Sequence, residues 1–261
     1  IYDVSDLQMP VFFFIWRQVR ATARQVIGQD CRSKLEIVGM KMRRDQFEDH
    51  FRNYRKYLSA EIHRFWDSAS VYRQISERTK DHLQELNLAP AFFHTVEDSL
   101  FTTIVLWADK LFDEKGERGL FNFLTFIEYN RQWMVIDKLK RRRSYPDDHW
   151  MLKGRVPITA ESIEADREKI RALAELKSIH IRRDKFHGHF NKDYFFDRAR
   201  IQDEAPILWM DLDEAGNVMG GMLNDYSVDF DGEMFSWKTI GIDDLSRLLK
   251  AAGRGAHVHA N

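Results

Sequence analysis

Apolar side chains spaced by three and four residues constrain this chain more than any other feature. From Asp45 onward they fall at Phe47, Phe51, Tyr54, Leu58, Ile62 and Phe65, one stripe along a helix. A second helical pattern runs through Tyr72, Ile75, Leu83 and Leu86, with Asn87 and Pro90 to end it. A third, through Phe93, Val96, Leu100, Ile104, Trp107 and Leu111, keeps the same steps. After a loop marked by Gly116 and Gly119, Leu120, Leu124, Ile127 and Met134 predict a fourth helix reaching about Leu139. Such stripes are buried against one another, so the predicted fold is mainly α: a helical bundle of four or more long helices. A hydrophobic fraction of 44%, with 19 Phe, 8 Tyr and 7 Trp, supplies the core.

The next helix starts with clear punctuation. Pro157 precedes Thr159, a predicted N-cap, and Glu161 and Glu164 load the first turn with negative charge. Ile163, Ile170, Leu173, Leu176 and Ile179 form its apolar side, and Gly188 suits a C-terminal cap. Beyond Phe190 the texture changes. Residues 207–210 and 227–237 read as strands, with Asp231-Gly232 as a hairpin turn, and residues 243–252 as a short terminal helix before a loose tail. The predicted organisation is a helical segment over 1–40, a bundle over 41–198, and a small α+β C-terminal extension over 199–261.

Charge and cysteine usage narrow the functional classes. With 40 Lys+Arg against 41 Asp+Glu the chain has no overall basic field, so any nucleic acid must meet a local patch. A single cysteine, Cys31, rules out an internal disulfide framework and fits a reducing cytoplasm. The apolar run over 9–16 is far too short to span a bilayer and lacks the flanks of a signal peptide, so no membrane association is expected. Met40 or Met42 would serve as a natural start, which leaves the role of residues 1–40 open. No P-loop, GxGxxG or GxSxG is present, which argues against nucleotide-hydrolysing, Rossmann and serine-hydrolase readings.

Two basic runs remain. Residues 138–143 read KLKRRR, which serves either as a solvated helix end or as a basic lip for a phosphate backbone. The denser mixture is Arg182-Arg183-Asp184-Lys185-Phe186-His187-Gly188-His189. An imidazole of ordinary pKa near ~6.5 can take a proton from a ribose 2′-OH at neutral pH. A guanidinium can hold the adjacent phosphate and stabilise charge in the transition state. His plus Arg is therefore a sufficient kit for metal-independent RNA cleavage, in which the 2′-OH attacks phosphorus and leaves a cyclic phosphate. On a continuous helix Arg183 and His187 share a face, whereas Arg183 and His189 lie about 120° apart. The second pair converges if the helix breaks near Gly188, or if another copy of the chain completes the site. The same residues also make an ordinary helix end, so both readings stay open at this point.

The wording of the cluster resembles a known family. Arg183-Asp184-Lys185-Phe186-His187-Gly188-His189 looks like the Arg-polar-(x)₄-His signature of the HEPN superfamily, and in particular its AbiU-like abortive-infection branch. Leu106-Trp107-Ala108-Asp109-Lys110-Leu111-Phe112-Asp113 is similar to that branch in the helix before the motif helix. The likeness covers roughly residues 45–195. In that branch the residue before the last His is usually Ala; here it is Gly188. The resemblance implies a helical bundle that homodimerises so that two motifs face one cleft, and a metal-independent endoribonuclease of a toxin–antitoxin, abortive-infection or related defence system. It carries Arg183 over as the phosphate-binding cation, Asp184 as the polar helper and His189 as the catalytic base. Arg182, Lys185 and His187 are expected to add RNA or phosphate contacts. The implied substrate is RNA, tRNA or mRNA by class, with an antitoxin or regulatory protein as a further partner and no cofactor.

Two other readings use the same residues: a non-catalytic module that binds RNA, a nucleotide or a protein, and a structural dimer docking through its aromatic N-terminal stretch. A metal site from His180, His187 and His189 is set aside, because no Cys or carboxylate joins them at ligand spacing. Asp211-Leu212-Asp213-Glu214-Ala215-Gly216 opens like a calcium loop but has Met222 where the twelfth-place Glu belongs. Glu97, Asp98 and Asp109 read as surface charges, and His257-Val258-His259 is assigned nothing.

Overall fold

The computed structural model describes residues 41–188, 192–197 and 199–258, all but Lys41 in one unit, Met42–Asn261. The helical segment expected over residues 1–40 and the base expected at His189 lie outside the described residues. The first apolar stripe and the start of the second, Tyr72 and Ile75, form a single helix, α1, Arg44–Arg78. Its 35 residues make a rod about 50 Å long at 1.5 Å per residue. It buries Phe47, Phe51, Leu58, Ile62, Phe65, Ala69 and Ile75 along one side. After a break at residues 79–82, Leu83–Leu86 make a lone helical turn.

Pro90 starts the next helix instead of ending the last. At the first position of α2, Pro90–Phe112, its missing N–H falls where no intrahelical partner exists anyway. α2 runs antiparallel to α1, since Tyr72 meets Phe101 at one level and Glu61 meets Trp107 at another. The predicted fourth helix is two: α3, Leu120–Tyr129, and α4, Ile136–Arg143. Asn130 separates them, its side chain donating to Phe126 O (3.0 Å) and accepting from Met42 N (2.9 Å).

The predicted motif helix is also interrupted. α5, Ala160–Arg171, begins as expected, with Thr159 Oγ1 accepting from Ser162 N at 3.1 Å. It ends at Ala172, and α6, Leu176–Arg182, starts anew. On one straight helix Leu173 and Ile179 would point about 120° apart. The break lets both face the core, where they are 5% and 1% exposed.

No strand occurs among the described residues, which corrects the α+β extension. After two short helices, α7 (Lys192–Phe196) and α8 (Arg200–Glu204), the segment read as a strand and hairpin arm is α9, Trp209–Asp231. Its buried residues Leu212, Ala215, Met219, Met222, Leu223, Tyr226 and Phe230 step by helical intervals, so burial on one helix face outweighs local β propensity. Asp231-Gly232 is the helix end, not a hairpin turn. Gly232 takes φ 76° and donates its N–H to Val228 O at 3.0 Å, the left-handed cap that suits a residue without Cβ. The second expected hairpin arm has no regular structure and pairs with a helix side chain: Phe235 N donates to Asn224 Oδ1 and Asn224 Nδ2 to Phe235 O. α10, Asp244–Val258, takes in much of the expected tail.

α1 is covered by α2 on one side and by α9 on another, and α4 packs against α9. The core between α1, α3 and α9 is aromatic. Phe51 stacks on Phe230 with centroids 4.0 Å apart, and Phe47 on Phe126 at 5.2 Å. Stacked and edge-on aromatic pairs contribute about 0.5–1.5 kcal/mol beyond the area they bury.

Candidate active site

The motif sits where α6 lies along α2. Immediately after α6 the backbone widens into a π turn, Arg183–His187. Its closing bond is Gly188 N to Arg183 O, at 2.6 Å, spanning five residues instead of four. A Cβ on Gly188 would stand 2.7 Å from Arg183 O, closer than real Cβ atoms come, so this tight turn depends on glycine. The extra residue turns the side chains after it by about 100° relative to an uninterrupted α-helix.

The cluster divides into two sets. Arg182 points inward. It is 2% exposed and donates through Nε to Ala205 O (2.6 Å) and through Nη2 to Gln202 Oε1 (2.8 Å), with its guanidinium over Phe101. Burial lowers its pKa from the usual arginine range. The expected RNA contact at Arg182 is therefore withdrawn: this residue ties α6 to α8. Phe186 joins Ile181, Tyr194, Ile201 and Ala205 in the same small core.

His187 also faces inward. Its Nδ1 lies 3.1 Å from Thr102 Oγ1 on α2, beside the rings of Phe101 and Phe186. Burial, then the Arg182 charge, pushes its pKa down to about 4, against a weaker pull from Asp98. It is a neutral, half-buried imidazole at neutral pH, which removes it as an expected cationic RNA contact.

The outward set is different. Arg183 donates through Nε to Asp109 Oδ2 at 2.6 Å and through Nη1 to Asp184 Oδ1. His180, one turn earlier, lies with Nδ1 3.0 Å from Asp109 Oδ1 and Nε2 3.2 Å from Asp184 Oδ2. The Asp109 hydrogen bond raises the Arg183 pKa further, so the guanidinium is a permanent cation. Asp109, read as a surface charge, is only 7% exposed and anchors this array from α2, whereas Arg183 stays 30% open. Lys185 is exposed, its Nζ 5.8 Å from the Tyr194 ring centroid.

Asp109 and His180 are the members that sequence reasoning missed. A signal existed for each: His180 and Asp184 are an i, i+4 pair, and Asp109 stands in the quoted segment of α2. Among the described residues no group of three or more His, Cys, Asp or Glu is arranged to hold a metal ion.

A sequence model of the AbiU2 family of HEPN domains matches residues 45–248. The chain belongs to the AbiU2 family. The match begins within α1, takes in the α2 segment that carries Asp109 and the whole motif turn, and continues through α9. This AbiU2 chain is thus an abortive-infection-type HEPN domain on a mainly α bundle. Neither the curated proteins nor the solved structures give a match. No helix among the described residues is long and apolar enough to cross a membrane.

Proposed function

We propose that this AbiU2 domain is a metal-independent endoribonuclease of an abortive-infection, toxin–antitoxin or related defence system, acting in the cytoplasm as a homodimer. The observation that carries the reading is Arg183: within a HEPN motif it is the arginine left partly open, held by one buried and one half-exposed carboxylate. A guanidinium so fixed keeps its charge and its Nη2 donor for a phosphate. Asp184 helps orient it, Lys185 adds charge to the RNA backbone, and His189 is the proposed base for the ribose 2′-OH. Two motifs facing one cleft would supply cations for the phosphate and imidazoles for both proton transfers. RNA, as tRNA or mRNA, is the proposed substrate, and an antitoxin or regulatory protein the proposed restraint.

Total cellular RNA incubated with purified protein in EDTA tests this, wild type beside His189→Ala and Arg183→Ala. Discrete fragments ending in 2′,3′-cyclic phosphate, absent with both variants, are expected. Intact RNA from a folded, dimeric wild type that still retains RNA would leave a binding module instead. Equal cleavage by all three proteins would remove the motif from the chemistry.

A further inference from the structure

The motif signature names Arg183, Asp184 and His189, yet the described geometry gives Arg183 two more attendants. Asp109 reaches it from α2 and His180 from the preceding helical turn. We propose that Asp109 and His180 are positioning residues of the Arg183 site, forming a carboxylate–histidine–carboxylate brace that aims the guanidinium at an RNA phosphate. The inference rests on the ribonuclease reading.

Three observations support the brace. The two oxygens of Asp109 are divided, Oδ2 taking Arg183 Nε at 2.6 Å and Oδ1 facing His180 Nδ1 at 3.0 Å, so one buried carboxylate fixes both groups. The other imidazole nitrogen faces Asp184 Oδ2 at 3.2 Å, and Asp184 Oδ1 in turn accepts from Arg183 Nη1, which closes a ring of four side chains. The two carboxylates take Nε and Nη1, so Nη2 is the guanidinium nitrogen left to donate to a ligand among the described residues. The charges also matter. Two carboxylates beside one guanidinium leave a net negative site, and a His180 N–H donated to one of them draws part of that field away from Arg183.

Fixing a guanidinium through its Nε has a kinetic consequence. A displacement of about 1 Å in a group that stabilises a transition state costs roughly 10²-fold in rate. Asp109→Asn removes the charged anchor with little change in shape, and kcat should fall by about 10²-fold. His180→Ala should lower kcat by about 10-fold, with KM for either variant within about threefold of wild type. The His180 side chain is 60% exposed, so its removal opens no cavity. His180→Gln, whose amide NH₂ can donate to both carboxylates, should recover most of the loss.

The test is kcat and KM on a labelled tRNA pool for wild type, Asp109→Asn, His180→Ala and His180→Gln, each confirmed folded by its melting transition. Beside it, ¹⁵N–¹H spectra of the arginine Nε–H groups are recorded, with the Arg183 signal assigned by its loss in Arg183→Lys. The brace predicts that the signal moves or broadens in Asp109→Asn and His180→Ala and returns in His180→Gln, in step with kcat. An Arg183 signal unmoved in both variants overturns the proposal whether or not RNA is cut. A moved signal with kcat within twofold of wild type overturns it too, since the brace would then serve the fold alone. If wild type cuts nothing while the signal moves as expected, the ribonuclease reading falls and the positioning of Arg183 stands.

Discussion

Two arginine-rich helix ends in this protein look alike in sequence and do different things. In residues 138–143, Arg142 and Arg143 end α4; in residues 182–185, Arg182 and Arg183 end α6. Arg142 spends its donors on Glu48 Oε1 (3.0 Å), Phe230 O (3.1 Å) and Trp133 O (2.8 Å), and Arg143 donates to Asp231 O. These two arginines cap the carbonyl end of α9, a role that neither reading of the run gave them, while Arg141 stays exposed. Arg182 behaves like Arg142: buried, bound to a backbone carbonyl, its pKa lowered by burial. Arg183 alone of these four is held by carboxylate side chains only among the described residues. The lesson concerns acceptors. An arginine bonded to backbone carbonyls is committed to the fold, whereas one bonded to carboxylates keeps its charge organised for an anion that can compete with them.

Exchanging the two kinds of arginine breaks or confirms that contrast. The largest effect expected is on cleavage: Arg183→Ala should lose about 10²–10³-fold, the range of an electrostatic stabiliser, with a smaller loss in a urea titration than the buried arginines show, because His180 still faces the Asp109 carboxylate left behind. Arg182→Ala and Arg142→Ala should do the reverse in urea, each costing about 3 kcal/mol because buried carbonyls lose their donor. A Cm for either within error of wild type would mean that these arginines are not staples.

A smaller effect sharpens the inward half of the motif. The folded pKa of His187 is about 4, below its unfolded value near 6.5. Between these values the unfolded chain binds more protons, so stability is fully present above about pH 6.5 and declines as pH falls toward 4. Allowing for its partial exposure, His187 should account for roughly 1–2 kcal/mol of that decline. Urea midpoints across pH 4–7 should show a shallower slope for His187→Gln, and an unchanged slope would place the proton elsewhere. The smallest effect is at the α9 end that Arg143 caps. Gly232→Ala, forced to keep φ near 76°, should cost about 1 kcal/mol, read as a modest drop in melting temperature.

Much of the fold was legible because helical periodicity is a local property. The stripes of α1, of α2 from Phe93 to Leu111, and the start of α5 could be read directly, down to the Thr159 cap. Boundaries were less legible. Pro90 can stop a helix or start one, and only the direction of the following apolar face decides which. The C-terminal segment misled for a related reason: Val228, Phe230, Phe235 and Trp237 around Asp-Gly satisfy a hairpin pattern and a helix end equally well. Longer-range burial of Met219, Leu223 and Tyr226 on the same face settles it as α9.

The sequence by itself determined the helical class, the AbiU2 motif, and the presence of arginine, aspartate and histidine within one short turn. Only the tertiary structure decided which of them face outward. Packing against α2 and α8 turns Arg182 and His187 inward, a π turn closed by Gly188 ends the cluster, and Asp109 arrives from a helix some seventy residues earlier in the chain. That division depends on packing across helices, and spacing along one helix carries no record of it.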